Sequence, residues 1–543
     1  MSKPKSISRR KLLGMATVFT GASVVNNPFS FLFESVVNGF VNRALAQEAG
    51  YDPRRYIYIQ QPGAPARWSW DLFLTPYSAA GFVANPMIGT KYSASGGRYT
   101  GLSYATIAAK GINVPHMWQF SVPKAGGGMR PMTDLLDNLL SIQGISTENA
   151  GHPGSQLLHF KPSGAIRSLP ALTGDFAPTP IAAVNLRSGN YSYNSLAGKT
   201  PVQVGGGGNM LQTLLNPFIS TASTNFLNNL DQVNDAVEDA ITSLDDLAKE
   251  RHPAAEILSS DRAGVERLLK QGFPDLANQW NSLKNKYSDL ISRAIDPTQS
   301  LAGLTDKPIG LTSGRGAEYA LNVAANEVST ADLRTLIKDT STIGSMAEHF
   351  AVAEYVILND LSRSVSLQLG TLNGLSTSGN DQANFRFDEH NTGGMVSLYL
   401  NSMYYRALAS CLLELIDQLK SAGLYEETVL DVGGEFNRSP RRNAGGSDHG
   451  WQGASVCLYS GAINGPLVIG NLKANGPSAG YPGTWGYGAE IPELGGKQIG
   501  LAQVGATIAT LLRAPSPVTS TGPLVAVQNG QIVPIIGKTK IIS

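Results

Sequence analysis

An α/β fold, built on a largely parallel sheet with helices on both faces, is the architecture this sequence predicts. Two observations carry the prediction. Beyond Leu301 helical and strand-like segments alternate, which is the pattern that winds a parallel sheet between helices. The acidic and histidine residues of that half, Asp388, His390 and Glu435, follow strands, at the edge where such sheets collect ligands. The apolar content of 42% is enough to bury a sizeable core.

Taken in order, residues 1–46 read as an address. Arg9 and Arg10 precede a moderately apolar run over residues 15–25, and Ala44-Leu45-Ala46 supplies the small-x-small cleavage pattern. These parts together predict a twin-arginine export signal, a mature chain beginning near Gln47, and a periplasmic or secreted location. Neither this segment nor a later one offers the ~20 uninterrupted apolar residues of a membrane-spanning helix. Tyr56-Ile57-Tyr58-Ile59-Gln60, closed by Pro62-Gly63, reads as a first sheet strand ended by a turn. Residues 139–145 and 180–186 read as further buried strands, separated by loops that carry His152 and His159.

Between about residues 221 and 297 the character changes. Phe226, Leu230, Val233, Val237, Ile241, Leu244 and Leu247 recur at steps of three and four, which marks an amphipathic helix. Two further helical patterns, over 255–271 and 276–294, complete a helical insertion. Then follow a helix over 346–360, a strand over 364–370, a long helix over 395–422 and a strand over 429–432 that leads into Glu435.

The formal net charge of +1 leaves no electrostatic footprint for nucleic acid or an anionic membrane. Two cysteines are present. Cys411 falls on an apolar helical face and Cys457 in a strand-like run, so both read as buried free thiols.

The chemistry-bearing segment is GGEFNRSPRRNAGGSDHG, residues 433–450, preceded by Asp388 and His390. His390 and His449, two of only seven histidines, sit beside carboxylates in glycine-rich sequence, as an oxygen-and-imidazole metal site requires. Carboxylate with imidazole suits zinc, manganese or iron better than calcium or magnesium. Arg438, Arg441 and Arg442 flank the acidic residues, and guanidinium groups suit bidentate capture of phosphate or sulfate oxygens. An internal salt bridge to Glu435 explains them equally well.

The twin-arginine start, FDEHN at residues 387–391, QLKSAGLYEETVL at 418–430 and the 433–450 segment together resemble the DUF1501 family of exported proteins, which is related to alkaline phosphatases and sulfatases. The resemblance implies a three-layer α/β/α sandwich of the alkaline phosphatase kind and, with it, metal-dependent hydrolysis of a small anionic phosphate or sulfate ester. It implies a cluster in which Asp388 and His390 hold a divalent ion and Asp448 and His449 complete it. Glu435 stands where the superfamily commonly places an aspartate ligand, and either Glu435 or Asp448 fills that role. His152, in ENAGHPGSQLLHF, resembles a histidine-bearing loop of the family and is expected to line the site. His159 is expected to be a core histidine.

The N-terminal strand end departs from the family pattern. If Trp70-Asp71 matches the family's aromatic-aspartate pair, Ser69 falls on the nucleophile position, while Trp68 replaces the first acidic ligand. An indole cannot hold a hard cation. Ser69 is therefore the candidate nucleophile and Asp71 a candidate displaced ligand. The competing expectation is a non-catalytic binding or envelope-associated protein that keeps the fold.

Overall fold

The computed structural model describes residues 51–71, 88–177, 179, 181–186, 191–204, 272–296, 307–310, 327–331, 333–334, 341–369, 389–390, 392–440, 446–450, 453–473 and 487–536. The predicted export signal, the first two helical patterns of the insertion, Asp388, Arg441 and Arg442 lie outside them.

Among the described residues the fold is mixed α/β around a nine-stranded sheet. Its strands are β1 (Arg55–Gln60), β2 (Leu139–Ser146), β3 (Val184–Asn185), β4 (Val202–Gln203), β5 (Ser364–Gln368) and β6 (Thr428–Gly433). After a small hairpin of β7 (Asn437–Pro440) and β8 (Ser447–Gly450), the sheet adds β9 (Ala454–Tyr459), β10 (Leu467–Gly470) and β11 (Ile499–Gly500). The order is β4-β3-β5-β1-β6-β9-β2-β10, with β11 also paired to β2. All these pairings are parallel except the two made by β9. β1 is central, held in register by β5 (Tyr58 to Ser366) and β6 (Tyr58 to Asp431). Five of its six residues are buried, as expected of a strand covered on both faces.

The six described helices are α1 (His152–Phe160), α2 (Leu169–Gly174), α3 (Gly272–Ala294), α4 (Ser341–Leu358), α5 (Gly394–Ser421) and α6 (Leu501–Leu511). One apolar cluster joins Ile57 and Ile59 of β1 and Leu430 and Val432 of β6 to side chains of α3, α4 and α5. A second joins the alternate residues Tyr56, Tyr58 and Val429 to Phe160 of α1, Leu169 and Leu172 of α2, and α6. Because strand side chains alternate between faces, these clusters mark the sheet's two covered faces.

α5 is buried on every side over most of its length, which requires an apolar circumference rather than a stripe. It stops at Gly423, whose φ of +69° lets the Leu424 N–H reach back to the Leu419 carbonyl at 2.8 Å, the glycine-ended helix terminus. The described part of the predicted insertion, α3, is integral to the core: Trp280, Tyr287, Leu290 and Ile291 pack into the α4–α5 cluster. Lys286 ties the three helices together, bonding both Glu354 oxygens at 2.8 and 2.7 Å and Glu414 Oε1 at 3.1 Å.

Predicted and observed elements differ in two places. The strand expected over 180–186 is only Val184–Asn185. His152 and His159 lie in a helix, not in loops, because Pro153 occupies the first turn, where the missing N–H breaks no helical bond. Both cysteines are buried free thiols, as expected.

One face of the sheet carries a polar row that its composition alone does not explain. Gln203, Asn185, Ser366, Tyr58 and Asp431 stand at one register level across β4, β3, β5, β1 and β6. Parallel sheets normally present continuous apolar surface there. The row ends at Asp431, which accepts the Tyr56 hydroxyl at 2.8 Å.

Candidate functional site

β6 delivers Gly434 and Glu435 to the carboxyl edge of the sheet, and the loop leaving β1 meets them there. Glu435 is fully buried. Its Oε1 accepts the Gly63 N–H at 3.0 Å and Gln156 Nε2 at 2.5 Å, and its Oε2 accepts His152 Nδ1. Its backbone carbonyl accepts Ser155 Oγ and, at 2.9 Å, His159 Nε2. One acidic residue thus joins the β1 loop, the strand end and the first two turns of α1. His159 is a satisfied core histidine, as predicted.

A second group forms where β8 passes His390. Gly446 has a φ of +116°, and a Cβ there would strike the His390 carbonyl. Only glycine permits that crossing. The Ser447 N–H then donates to the Glu389 carbonyl at 2.9 Å, fixing β8 against the His390 segment. As a result His390 Nε2 and His449 Nε2 lie 2.9 Å apart, and His390 Nδ1 lies 3.3 Å from Asp448 Oδ1. His390 and Asp448 are each about a third exposed, so the group opens toward solvent.

Phe436 joins the two groups. Its ring is 4.9 Å from that of His152 and 4.4 Å from that of His449, while His152 and His449 meet edge-on at 4.6 Å. Two imidazoles therefore pack on one apolar plate, and the third, His390, lies 4.7 Å from the ring of His449, with Asp448 beside it and Glu435 beside His152.

Of the remaining candidates Arg438 borders this cluster, its guanidinium 5.4 Å from the centre of the Phe436 ring, while Ser69 and Asp71 have their contacts elsewhere. Arg438 is buried, and its guanidinium donates to the Ala64 carbonyl at 2.8 Å and to the Gly63 carbonyl. It pins the loop in which Gly63 and Ala64 both adopt positive φ, 83° and 49°. Ser69 ends a short 3-10 turn, Arg67–Ser69, and is buried with no hydrogen-bond partner on its hydroxyl. Asp71 is engaged bidentately by Arg67, through Nε at 2.6 Å and through the second nitrogen, and it also meets Ser455 Oγ at 3.3 Å and Cys457 Sγ at 3.4 Å. Burial raises the Cys457 thiol to about 11, which keeps it protonated beside that carboxylate.

Sequence reasoning did not single out Gln156, Gly63, Phe436 or Arg67. Gln156 and His152 lie four apart in the sequence, on one face of a helix. The contact of Gly63 depends on chain folding across more than 350 residues and leaves no local signal, whereas Arg67 stands four residues before Asp71, the spacing of a local ion pair.

The two imidazole nitrogens suit a divalent ion chemically. Ligands held about 2.0–2.1 Å from zinc at tetrahedral angles stand about 3.3 Å apart, close to the 2.9 Å seen between His390 and His449. Among the described residues no three histidine, cysteine, aspartate or glutamate side chains already converge as a ligand set.

The family model described as "Protein of unknown function (DUF1501)" matches residues 358–480, the stretch that contains His390, Glu435, Asp448 and His449. Over that stretch the chain is similar to DUF1501. No curated protein and no solved structure matches the chain.

Proposed function

We propose that this chain is an exported metal-binding protein with a three-layer, alkaline-phosphatase-like α/β/α fold, whose imidazole site serves hydrolysis of small phosphate or sulfate esters. The observation that carries the proposal is the facing of His390 Nε2 and His449 Nε2 at 2.9 Å, at a partly open carboxyl edge of a mainly parallel sheet, where ligands collect in such folds. His390 and His449 would hold the ion, with Asp388 and Asp448 as the neighbouring carboxylates. When bound, a zinc, manganese or iron ion supplies Lewis-acid polarisation and neutralises charge developing on the ester oxygens. The chain's own part is to orient the imidazoles through Asp448 and Phe436, and to hold the β1 loop against the site through Glu435 and Arg438.

The geometry of Ser69 and Asp71 favours a second reading. A buried hydroxyl beside a carboxylate already captured by Arg67 does not supply an accessible nucleophile of the superfamily type. A non-catalytic protein that keeps the fold and binds metal fits that observation.

Metal analysis of the purified mature protein, followed by assay on generic phosphate and sulfate esters, separates the readings. Metal-dependent turnover lost in His390→Ala supports the hydrolase. Metal retained without turnover supports the binding protein, and absence of bound metal removes both.

A further inference from the structure

His390 and His449 come from segments 59 residues apart, and one residue holds the supports of both. The Glu389 side chain is buried, and its Oε1 accepts Asn401 Nδ2 at 2.8 Å. The Glu389 backbone carbonyl accepts the Ser447 N–H at 2.9 Å. We infer that Glu389 is the positioning residue of the two-imidazole site: its side chain fixes His390 to α5, and its carbonyl sets β8, and with it His449, against His390. The inference deepens the metal-binding reading of that site and rests on it.

α5 is a firm support because it is buried on every side over most of its length. Ser397, Asn401 and Tyr405 lie four apart, on one face of that helix. Asn401 Nδ2 also meets Ser397 Oγ at 3.2 Å, which sets the amide for Glu389, and the Tyr405 hydroxyl donates to the Ala66 carbonyl of the β1 loop at 3.2 Å. The His390 segment is tied to α5 twice. The chain enters the helix at Gly394, and the Glu389 side chain reaches Asn401, about two turns further along. His390 lies between these two attachments in the sequence. Swinging it away would break a buried hydrogen bond and leave the Glu389 and Asn401 groups it joined unsatisfied, which is costly. The partner strand is set from the same residue. A Cβ at Gly446 would strike the His390 carbonyl and crowd that of Glu389, so glycine there allows the approach that the Ser447 bond then holds. Both contacts of Glu389 are with the scaffold, and its effect on a bound ion is transmitted through the two imidazoles, as for other groups that orient ligands without touching the metal.

Two readouts test this, and the first needs no metal. Asn401→Leu keeps the side-chain bulk and removes the donor. It should speed hydrogen exchange at the Ser447 amide by about tenfold or more relative to the amides of β6, which report global opening. An unchanged ratio overturns the inference. Zinc titration is the second readout. Asn401→Leu and Glu389→Ala should each weaken zinc about 10–100-fold. Glu389→Gln, whose amide oxygen still accepts Asn401 Nδ2, should bind zinc nearly as the parent does. A loss in Glu389→Gln comparable to that in Glu389→Ala would make the carboxylate charge itself the contribution and sink the idea. The double variant Glu389→Ala/Asn401→Leu should bind no more weakly than the weaker single variant, because the two residues act as one unit; additive losses contradict this. Should Glu389→Ala fail to fold, Asn401→Leu and Glu389→Gln still decide. If the unsubstituted chain takes up no zinc, the metal reading fails on its own, and Ser447 exchange still settles the positioning role.

Discussion

Asp431 makes stability fall as pH rises, and its replacement by asparagine should remove that dependence. Burial pushes its carboxyl up from 3.8 to about 7, against the smaller opposing effects of the Tyr56 hydroxyl and the Arg67 charge. Between these two values the folded chain keeps a proton that the unfolded chain releases. The contribution of Asp431 to folding stability is therefore greatest below about pH 4, declines as pH rises toward 7, and is flat beyond it. A shift of about 3 units corresponds to about 4 kcal/mol at 1.36 kcal/mol per unit. Asp431→Asn has nearly the shape of the neutral acid and can still accept the Tyr56 hydroxyl. At pH 5 it should be more stable in urea than the parent by only about 1.6 kcal/mol; at pH 8 the gain should grow to about 4 kcal/mol. Parallel unfolding curves at the two pH values, with the variant equally displaced in both, would refute the reasoning.

Lys286→Met should cost about 3–5 kcal/mol, because it leaves Glu354 and Glu414 facing one another inside the helical layer, and adding Glu354→Gln should restore much of the loss in denaturant midpoint. Burial lowers His349 to about 4, so the unfolded chain gains a proton first and stability is lost as pH falls from about 6.5 toward 4; His349→Gln should flatten that limb of the pH–stability curve by about 3 kcal/mol. Gly446→Ala drives a Cβ into the His390 carbonyl and should abolish metal uptake while leaving the far-ultraviolet spectrum near that of the parent. Replacing Arg9 and Arg10 by lysine should retain the precursor in the cytoplasm, as read by fractionation and immunoblot.

The fold was legible where burial writes itself into composition. Tyr56 to Gln60, residues 139–145, 364–370 and 429–432 announced strands because both faces of each are covered, and residues 395–422 announced a long helix. α1 was not legible, since His152-Pro153-Gly154 reads as a turn until Pro153 is seen in a first helical turn. The site was half legible. His390 and His449 stood out by their carboxylate neighbours and glycines, and the structure brings them together. Glu435 was recognised as a site residue, but its partners Gly63 and Gln156 are 372 and 279 residues away, and a glutamate looks the same in sequence whether it meets a metal or an imidazole. Arg438 looked like an anion binder for the same reason; its partners are two carbonyls of a distant loop.

The most direct test of the metal centre is a crystal of the mature protein grown with zinc or manganese, measured on both sides of the metal's absorption edge. An anomalous peak within about 2.0–2.2 Å of both His390 Nε2 and His449 Nε2 is the result expected. Clear density for both imidazoles still in direct contact, with no anomalous signal between them, would contradict it.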